Sequence, residues 1–314
     1  MTEAPTPRRA LYLLLAVLVG IGSATQSRVN GSLGTALGSG FHAATISFAV
    51  GLVLLVAIAL AFGRVRRGLR SVLEALAEGR LPWWGLIGGA LGSTFVLSQG
   101  LAVPTLGVAV FMTSMVLGQL VGSLLVDAAG LFGAPKRPIS LMRVAGALLT
   151  ALAVALIGWG GNIGPEALPF MALAVGSGAA ISVQMAVTGL VNAHAGEPVS
   201  PGLINFVVGT LILGAVALIA ESSGWVEVAP LPGLDEWWLY LGGILGVLYL
   251  LLVAAVVHII GVFLLTLSVV AGQLIGSLVF DVAAGHASVL LFVGVPLAFC
   301  GIVTANLGAR RRIR

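Results

Sequence analysis

The sequence predicts an all-α integral membrane protein with ten transmembrane helices, arranged as two inverted-topology repeats of five helices each. Three observations predict this fold: the composition, the recurrence of long apolar runs, and a segment that occurs twice. Of the 314 residues, 59% are hydrophobic and only 8% are charged, and the mean hydropathy is +1.14. Soluble domains carry about a quarter charged residues, so the composition excludes a soluble protein.

The apolar runs are continuous and recur at the length of a membrane-spanning helix, about 20 residues. A transmembrane barrel would show short strands of alternating polarity instead. The runs predict ten spans, at residues 10–29, 41–62, 83–101, 105–126, 141–159, 168–190, 202–220, 237–256, 260–280 and 288–307.

The basic residues predict the orientation of these spans. With ten spans and a cytoplasmic N-terminus, 14 of the 15 Lys and Arg residues fall on the cytoplasmic side, and only Arg28 falls outside. A bias of Lys and Arg in short loops marks the cytoplasmic face, so both termini are expected there, with loops 63–81 and 134–140. Loop 63–81 contains five Arg, whereas loop 221–236, expected outside, contains four acids and no base.

The duplicated segment reads GQLVGSLLVDAAG from Gly118 and GQLIGSLVFDVAAG from Gly272. Residues 83–130 align without a gap to residues 237–284, and 20 of the 48 positions are identical. Each copy lies in a unit of five spans, and an odd number of spans makes the two units enter the membrane in opposite directions. The predicted repeats are residues 1–160 and residues 161–314.

Several pieces of the chain together resemble the drug/metabolite transporter superfamily, and within it the YdcZ-like group. They are Gln26 with Asn30, Phe48 with Gly51, and the segments WWGLIGG, GQLVGSLLVDAAGLFG and KRPISLMRVAG. That family usually occurs as single five-span units, and this chain resembles two such units fused. The resemblance implies a transporter in which the first three spans of each unit surround the substrate. Thr188 stands where the repeat would place Asn30, and no Arg corresponds to Arg143.

Uncharged amides within the apolar spans are the first candidate site residues. Such groups can orient a small polar ligand without the desolvation cost of a buried charge. We therefore predict a central substrate cavity between the repeats, lined by Gln26, Asn30, Gln99, Gln184 and Asn205. The alternative is that these amides only form hydrogen bonds to neighbouring helices.

The duplicated segment supplies a second set of candidate residues. Its polar residues recur at i, i+4 and i+8, on one helix face: Gln119, Ser123 and Asp127, and again Gln273, Ser277 and Asp281. They either line a pathway and couple transport to an ion, or they join helices beside close-packed glycine pairs. Asp127 is expected near the inner membrane interface and Asp281 near the outer one, each solvated or paired.

These features favour a secondary transporter of small metabolites or drug-like compounds that works by alternating access between the repeats. The alternative function is an integral-membrane enzyme or lipid-handling protein on the same scaffold. No catalytic, metal-ligating or cofactor-binding residues are predicted, because the four His are scattered and no triad, phosphate loop or metal cluster is visible. The expected partners are a small-molecule substrate and membrane lipid, not nucleic acid. The expected state is a monomer or homodimer in the inner membrane.

Overall fold

The protein is all helix and connecting turns, with no strand, in the part of the chain that the structure describes. The computed structural model describes residues 7–133, 136, 138–160, 164–285 and 288–310. The far termini and parts of loop 134–140, whose sides of the membrane are predicted above, lie outside these residues. The helices are α1 Pro7–Leu37, α2 Gly40–Ala61, α3 Gly63–Ala77, α4 Gly88–Ala129, α5 Leu141–Gly160, α6 Leu168–Ala195, α7 Val199–Ser222, α8 Leu241–Ala283 and α9 Val289–Arg310.

The helices confirm the predicted all-α integral membrane class. Within the described residues, nine helical segments are long and apolar enough to cross a membrane. Helices suit the bilayer because every backbone hydrogen bond is made within the segment. The predicted spans 83–101 and 105–126 lie in a single segment of 47 residues, Trp83–Ala129. The number ten therefore stays a prediction, and it depends on how the chain behaves inside that segment.

The chain reverses its direction at Gly107, in the middle of α4. Gly107 has φ 74° and ψ 171°, a backbone conformation that only glycine adopts without strain. Before Gly107, later residues of α4 contact earlier residues of α6, as the pairs Gly88–Thr188 and Gly92–Gln184 show. After Gly107, later residues of α4 contact later residues of α6, as in Gly118–Val175 and Gly122–Ala179. The two parts of α4 are therefore antiparallel, which favours two spans. The end of the bundle that holds this turn is called the Gly107 end.

The same reversal occurs in α8 at Gly261, which has φ 78° and ψ 159°. Here the partner helix is α1, and the contacts are Gly242–Asn30, Gly246–Gln26, Gly272–Val17 and Gly276–Ile21. Each of these pairs occupies the position that the sequence repeat assigns to the corresponding α4–α6 pair. The opposite end of the bundle, where this turn lies, is called the Gly261 end.

Two phenylalanine rings meet where α2 crosses α7. The ring centroids of Phe48 and Phe206 are 4.8 Å apart, with 30° between the ring planes. A Cβ atom on Gly51 would overlap the Phe206 ring, and a Cβ atom on Gly209 would overlap the Phe48 ring. Each ring therefore rests on the glycine of the other helix, and this contact is the same when the two predicted repeats are exchanged.

Segment 63–81, predicted as a loop, contains a further helix. In α3, Val65, Gly68, Val72 and Ala75 are buried, which is the spacing of one helix face. Phe62 is extended, with φ −113° and ψ 110°, so the chain turns sharply between α2 and α3. The sequence analysis identified this segment only as the basic connection between two spans, and the helical spacing of its apolar positions was the signal for a helix.

Candidate functional site

Asn30 and Gln99 form a buried amide pair between α1 and α4. Asn30 Nδ2 donates to Gln99 Oε1 at 2.6 Å, and Gln99 Nε2 donates to Ser27 Oγ at 2.7 Å. Asn30 Oδ1 and Ser47 Oγ both face Gly242, and neither has a hydrogen-bond partner among the described residues. Because a buried polar atom without a partner costs free energy, these two oxygens are the part of the cluster that can form a further bond.

An equivalent cluster joins α6, α7 and α4. Asn205 Nδ2 donates to Thr188 Oγ1 at 3.0 Å, and both side chains face Gly88. In the repeat alignment, Thr188 corresponds to Asn30 and Asn205 corresponds to Ser47. Each of the two clusters thus contains one asparagine, which lies on α1 in the first predicted repeat and on α7 in the second. The missing amide at Thr188 is supplied by the neighbouring helix.

Gln26 and Gln184 pack against glycines of the opposite predicted repeat. Gln26 lies against Gly246 of α8, and Gln184 lies against Gly92 of α4. Gln26 is buried, whereas Gln184 is half-buried. Like the two amide clusters, both side chains sit between helices that join the repeats. The structure therefore places all five predicted amides at helix contacts and does not gather them around one cavity, so their role in substrate binding stays a prediction.

The glutamines and serines of the duplicated segment bond to helices. Ser123 Oγ donates to the Leu120 carbonyl oxygen, and Ser277 Oγ donates to the Leu274 carbonyl oxygen, each at 2.9 Å. Gln273 Nε2 donates to Ser23 Oγ of α1 at 3.2 Å. The Gln119 carbonyl oxygen accepts from Ser182 Oγ of α6 at 2.8 Å. The two serine bonds lie within a single helix, whereas the Gln273 side chain and the Gln119 backbone bond to the neighbouring helices α1 and α6.

The carboxylate of Asp281 binds the start of the helix that follows Gly107. Its two oxygens accept hydrogen bonds from the backbone N–H groups of Val108 at 2.8 Å and of Ala109 at 2.9 Å. The first N–H groups of a helix have no partner within the helix, and its positive dipole end attracts an anion. Asp281 is therefore buried, with 5% of its surface exposed, rather than solvated at an interface.

Asp127, the counterpart of Asp281, forms an ion pair near the Gly261 end. Arg143 Nη2 of α5 lies 2.8 Å from Asp127 Oδ2. The side chain of Arg143 is 10% exposed and that of Asp127 is 24% exposed, so water screens the pair only in part. The ion pair agrees with the expectation that this acid is paired, and its depth in the membrane stays a prediction. The two equivalent carboxylates thus have different partners at opposite ends of the bundle.

A cavity of about 690 Å³ opens at the Gly107 end. Its charged lining residues are Arg28, Glu236 and Asp281. Hydroxyl groups of Ser32 and Thr35 line it beside Arg28 on one face of α1, and apolar groups of Leu106, Ile157 and Trp238 complete the wall. A site of this size and mixed lining is typical of small-molecule pockets.

A second, much smaller pocket of about 50 Å³ lies beside the Asp127–Arg143 ion pair, and Ser123 and Arg143 line it. Among the residues that the structure describes, no group of three His, Cys, Asp or Glu side chains could hold a metal ion.

Sequence reasoning missed the role of Arg28 as a cavity residue and the pairing of Arg143. The signal for Arg28 was present, because it is the one basic residue expected outside the membrane. Ser32 and Thr35 follow it at i+4 and i+7, on the same helix face. Nothing in the spacing pointed to Arg143 as the partner of Asp127, because the two residues lie on different helices.

Comparison with known proteins gives one family. The model of the family described as "Putative inner membrane exporter, YdcZ" matches residues 11–156 and residues 169–304. The chain is 30% identical over 149 residues to the Inner membrane protein YdcZ of Escherichia coli (strain K12), an alignment that covers 46% of this chain and 96% of that protein. A solved structure described as "Crystal structure of protein" superposes with a TM-score of 0.60 at 20% identity, covering 96% of this chain and 97% of the other. That likeness concerns the fold alone.

Proposed function

This chain belongs to the family described as "Putative inner membrane exporter, YdcZ", and we propose that it moves small metabolites or drug-like compounds as a secondary transporter. Membership makes it a multi-pass inner membrane protein and favours a transporter over a membrane enzyme. The substrate class, the mechanism and the orientation are the proposal. Whether the protein works as a monomer or a homodimer stays a prediction.

The proposed mechanism is alternating access between two inverted repeats, residues 1–160 and residues 161–314. Four contacts between α4 and α6 recur between α8 and α1 at equivalent positions, and the Phe48–Phe206 contact maps onto itself. When two repeats exchange their conformations, a site between them opens to the other side of the membrane. The paired contacts support this mechanism because both repeats possess the same packing surfaces.

The observation that carries the proposal is the cavity at the Gly107 end of the bundle. The cavity at the Gly107 end has about 690 Å³, and the pocket beside Arg143 has about 50 Å³. A cavity open at one end of the bundle is expected of one state of a transporter whose other state would be open at the Gly261 end. We propose that the Gly107 end faces outward, since the basic residues predict cytoplasmic termini and an external Arg28.

The proposed substrate first meets the cavity that contains Arg28. Basic, acidic, hydroxyl and apolar groups all line this space, which suits a small molecule with both polar and apolar parts. The predicted amides would form a deeper set that contacts the substrate when the helices move. Among them, Asn30 Oδ1 has an acceptor position that no described residue uses.

Flux through proteoliposomes tests the transport proposal. A thermal-shift screen of the purified protein against a metabolite library first identifies a ligand, and its gradient-driven flux is then measured without nucleotide. Thr35→Trp fills the cavity and should reduce this flux by more than about tenfold with little change in melting temperature. Leu14→Trp is the matched control, because Leu14 is 55% exposed and does not line the cavity. Equal flux in wild type and Thr35→Trp would exclude the cavity from the pathway.

A second test concerns the amides. We expect Gln26→Ala and Gln184→Ala to weaken binding of the identified ligand more than they lower the melting temperature. On the helix-packing interpretation of Gln119, Gln119→Ala should do the reverse. Normal ligand binding after loss of both Gln26 and Gln184 would contradict the predicted deeper site.

A further inference from the structure

Helix α3 is held on the protein at the point where α2 leaves the membrane. Only Phe62 separates the end of α2 from the start of α3. Ser200 Oγ of α7 donates to the Val65 carbonyl oxygen of α3 at 2.9 Å, and Gly68 lies against Ser200 and Glu197. Because α2 ends as a span at Ala61, α3 must lie at the membrane–water boundary, with its buried face on the protein.

The opposite side of α3 is basic. The helix contains four Arg and one Glu. Two of these arginines bind backbone oxygens: Arg64 donates to the Gly196 carbonyl oxygen at 3.4 Å, and Arg66 donates to the Ala59 carbonyl oxygen at 3.1 Å. The remaining two, Arg67 and Arg70, are exposed and form no ion pair among the described residues.

Large apolar side chains accompany these two arginines. Leu73 is 63% exposed and Phe62 is 60% exposed, although α3 carries several charges. Leu73 follows Arg70 by three residues, so the two side chains share one helix face. Glu74 is exposed on the same side of the helix, so two arginines and one glutamate leave a net positive charge there. The α3 basic face is defined as Arg67 and Arg70 with the exposed apolar side chains of Leu73 and of Phe62, which directly precedes the helix.

We propose that the α3 basic face binds the headgroups of anionic phospholipids. A guanidinium group forms charge-assisted hydrogen bonds to phosphate oxygens. Exposed leucine and phenylalanine side chains next to such a contact can enter the boundary of the acyl chains, as in helices that lie in the membrane plane. The surface begins one residue beyond a span, so a phospholipid is the phosphate-bearing partner at the right depth.

The segment that corresponds to α3 in the second predicted repeat indicates that the lipid binds in one leaflet only. Loop 221–236 contains four acids and no base, and no α-helix is formed between α7 and α8 among the described residues. Anionic headgroups would be repelled there. The inference therefore assigns lipid binding to the Gly261 end alone, and it does not depend on which compound the protein transports.

The test uses the full-length protein in vesicles of phosphatidylcholine alone and in vesicles of about three parts phosphatidylcholine to one part phosphatidylglycerol. Tryptophan fluorescence gives the melting temperature, and native mass spectrometry counts retained phosphatidylglycerol. In wild type, phosphatidylglycerol should raise the melting temperature. The double variant Arg67→Gln/Arg70→Gln should lose this rise and show an apparent affinity for phosphatidylglycerol about tenfold lower.

The control variant Arg80→Gln/Lys136→Gln removes the same formal charge from exposed residues outside α3 and should behave as wild type. An equal loss in the control would overturn the proposal in favour of unspecific charge attraction. An unchanged phosphatidylglycerol response in Arg67→Gln/Arg70→Gln would also overturn it. Inorganic phosphate added to phosphatidylcholine vesicles should give no rise, and an equal rise would indicate a site for soluble anions instead.

Discussion

Replacement of Asp281 by Ala should destabilise the folded protein by about 2–4 kcal/mol, because two backbone N–H groups at a helix start lose their acceptor. In the structure these groups belong to Val108 and Ala109, at 2.8 Å and 2.9 Å from the carboxylate oxygens. The helix concerned begins directly after the reversal at Gly107. The substitution therefore tests whether the contact across the bundle stabilises the turn.

The magnitude follows from the two hydrogen bonds. A hydrogen bond to a charged group contributes about 1.5–3 kcal/mol, so two of them would contribute about 3–6 kcal/mol. Asp281 borders the large cavity, and water that reaches the freed N–H groups recovers part of this loss. Asp281→Asn keeps one acceptor oxygen but loses the charge facing the helix dipole, so we expect a loss of about 1–2 kcal/mol.

The assay is equilibrium unfolding in mixed micelles with increasing sodium dodecyl sulfate, followed by tryptophan fluorescence. The matched control is Glu227→Gln, which neutralises an exposed acid and should leave the free energy of unfolding unchanged. The order of stability should be wild type, then Asp281→Asn, then Asp281→Ala. If Asp281→Ala unfolded within about 0.5 kcal/mol of wild type, the assigned role of the carboxylate would be refuted.

Three further predictions concern packing, charge and orientation. Gly122→Leu should lower the free energy of unfolding by about 1–3 kcal/mol through overpacking, because a Cβ atom added at this position would lie 2.8 Å from the Ala179 backbone. Unchanged thermal stability would contradict this. Arg143→Met should lower the melting temperature by leaving Asp127 unpaired, and adding Asp127→Asn should restore part of it; additive losses in the double variant would argue against a coupled pair. In a Cys300→Ala background, Glu227→Cys should react with a membrane-impermeant thiol reagent from the external side, and labelling from the cytoplasmic side alone would refute the orientation.

The helical class and the span positions could be predicted because the bilayer imposes a simple rule. Every spanning segment must be long, apolar and internally hydrogen-bonded, and each of these demands is visible in the sequence. The reversals at Gly107 and Gly261 fall just inside the starts of predicted spans 105–126 and 260–280, within a few residues of the predicted boundaries. Sequence comparison of the two units also located the glycine pairs, which the structure places in close helix contact.

The side-chain partners could not be predicted in the same way. Asp281 bonds to Val108, 173 residues away in the chain, and such a contact depends on how helices rotate about their axes. The cavity is likewise a gap between several segments, so no local pattern reveals it. The five amides were grouped because they share a chemistry, whereas the structure separates them into contacts on both sides of the Phe48–Phe206 crossing.

The two equivalent clusters hold their asparagine on different helices, Asn30 on α1 and Asn205 on α7. This difference has a consequence for how such a protein can evolve. The E. coli relative matches 46% of this chain with 96% of its own length. In a symmetric pair of identical short chains, any substitution alters both copies of a contact at once. A single fused chain removes that constraint, so one copy can hold its amide on α1 and the other on α7. Similarly, Arg143 can serve one carboxylate while a helix start serves the other. The fusion therefore permits two faces with separate chemistries on a scaffold whose packing surfaces remain shared.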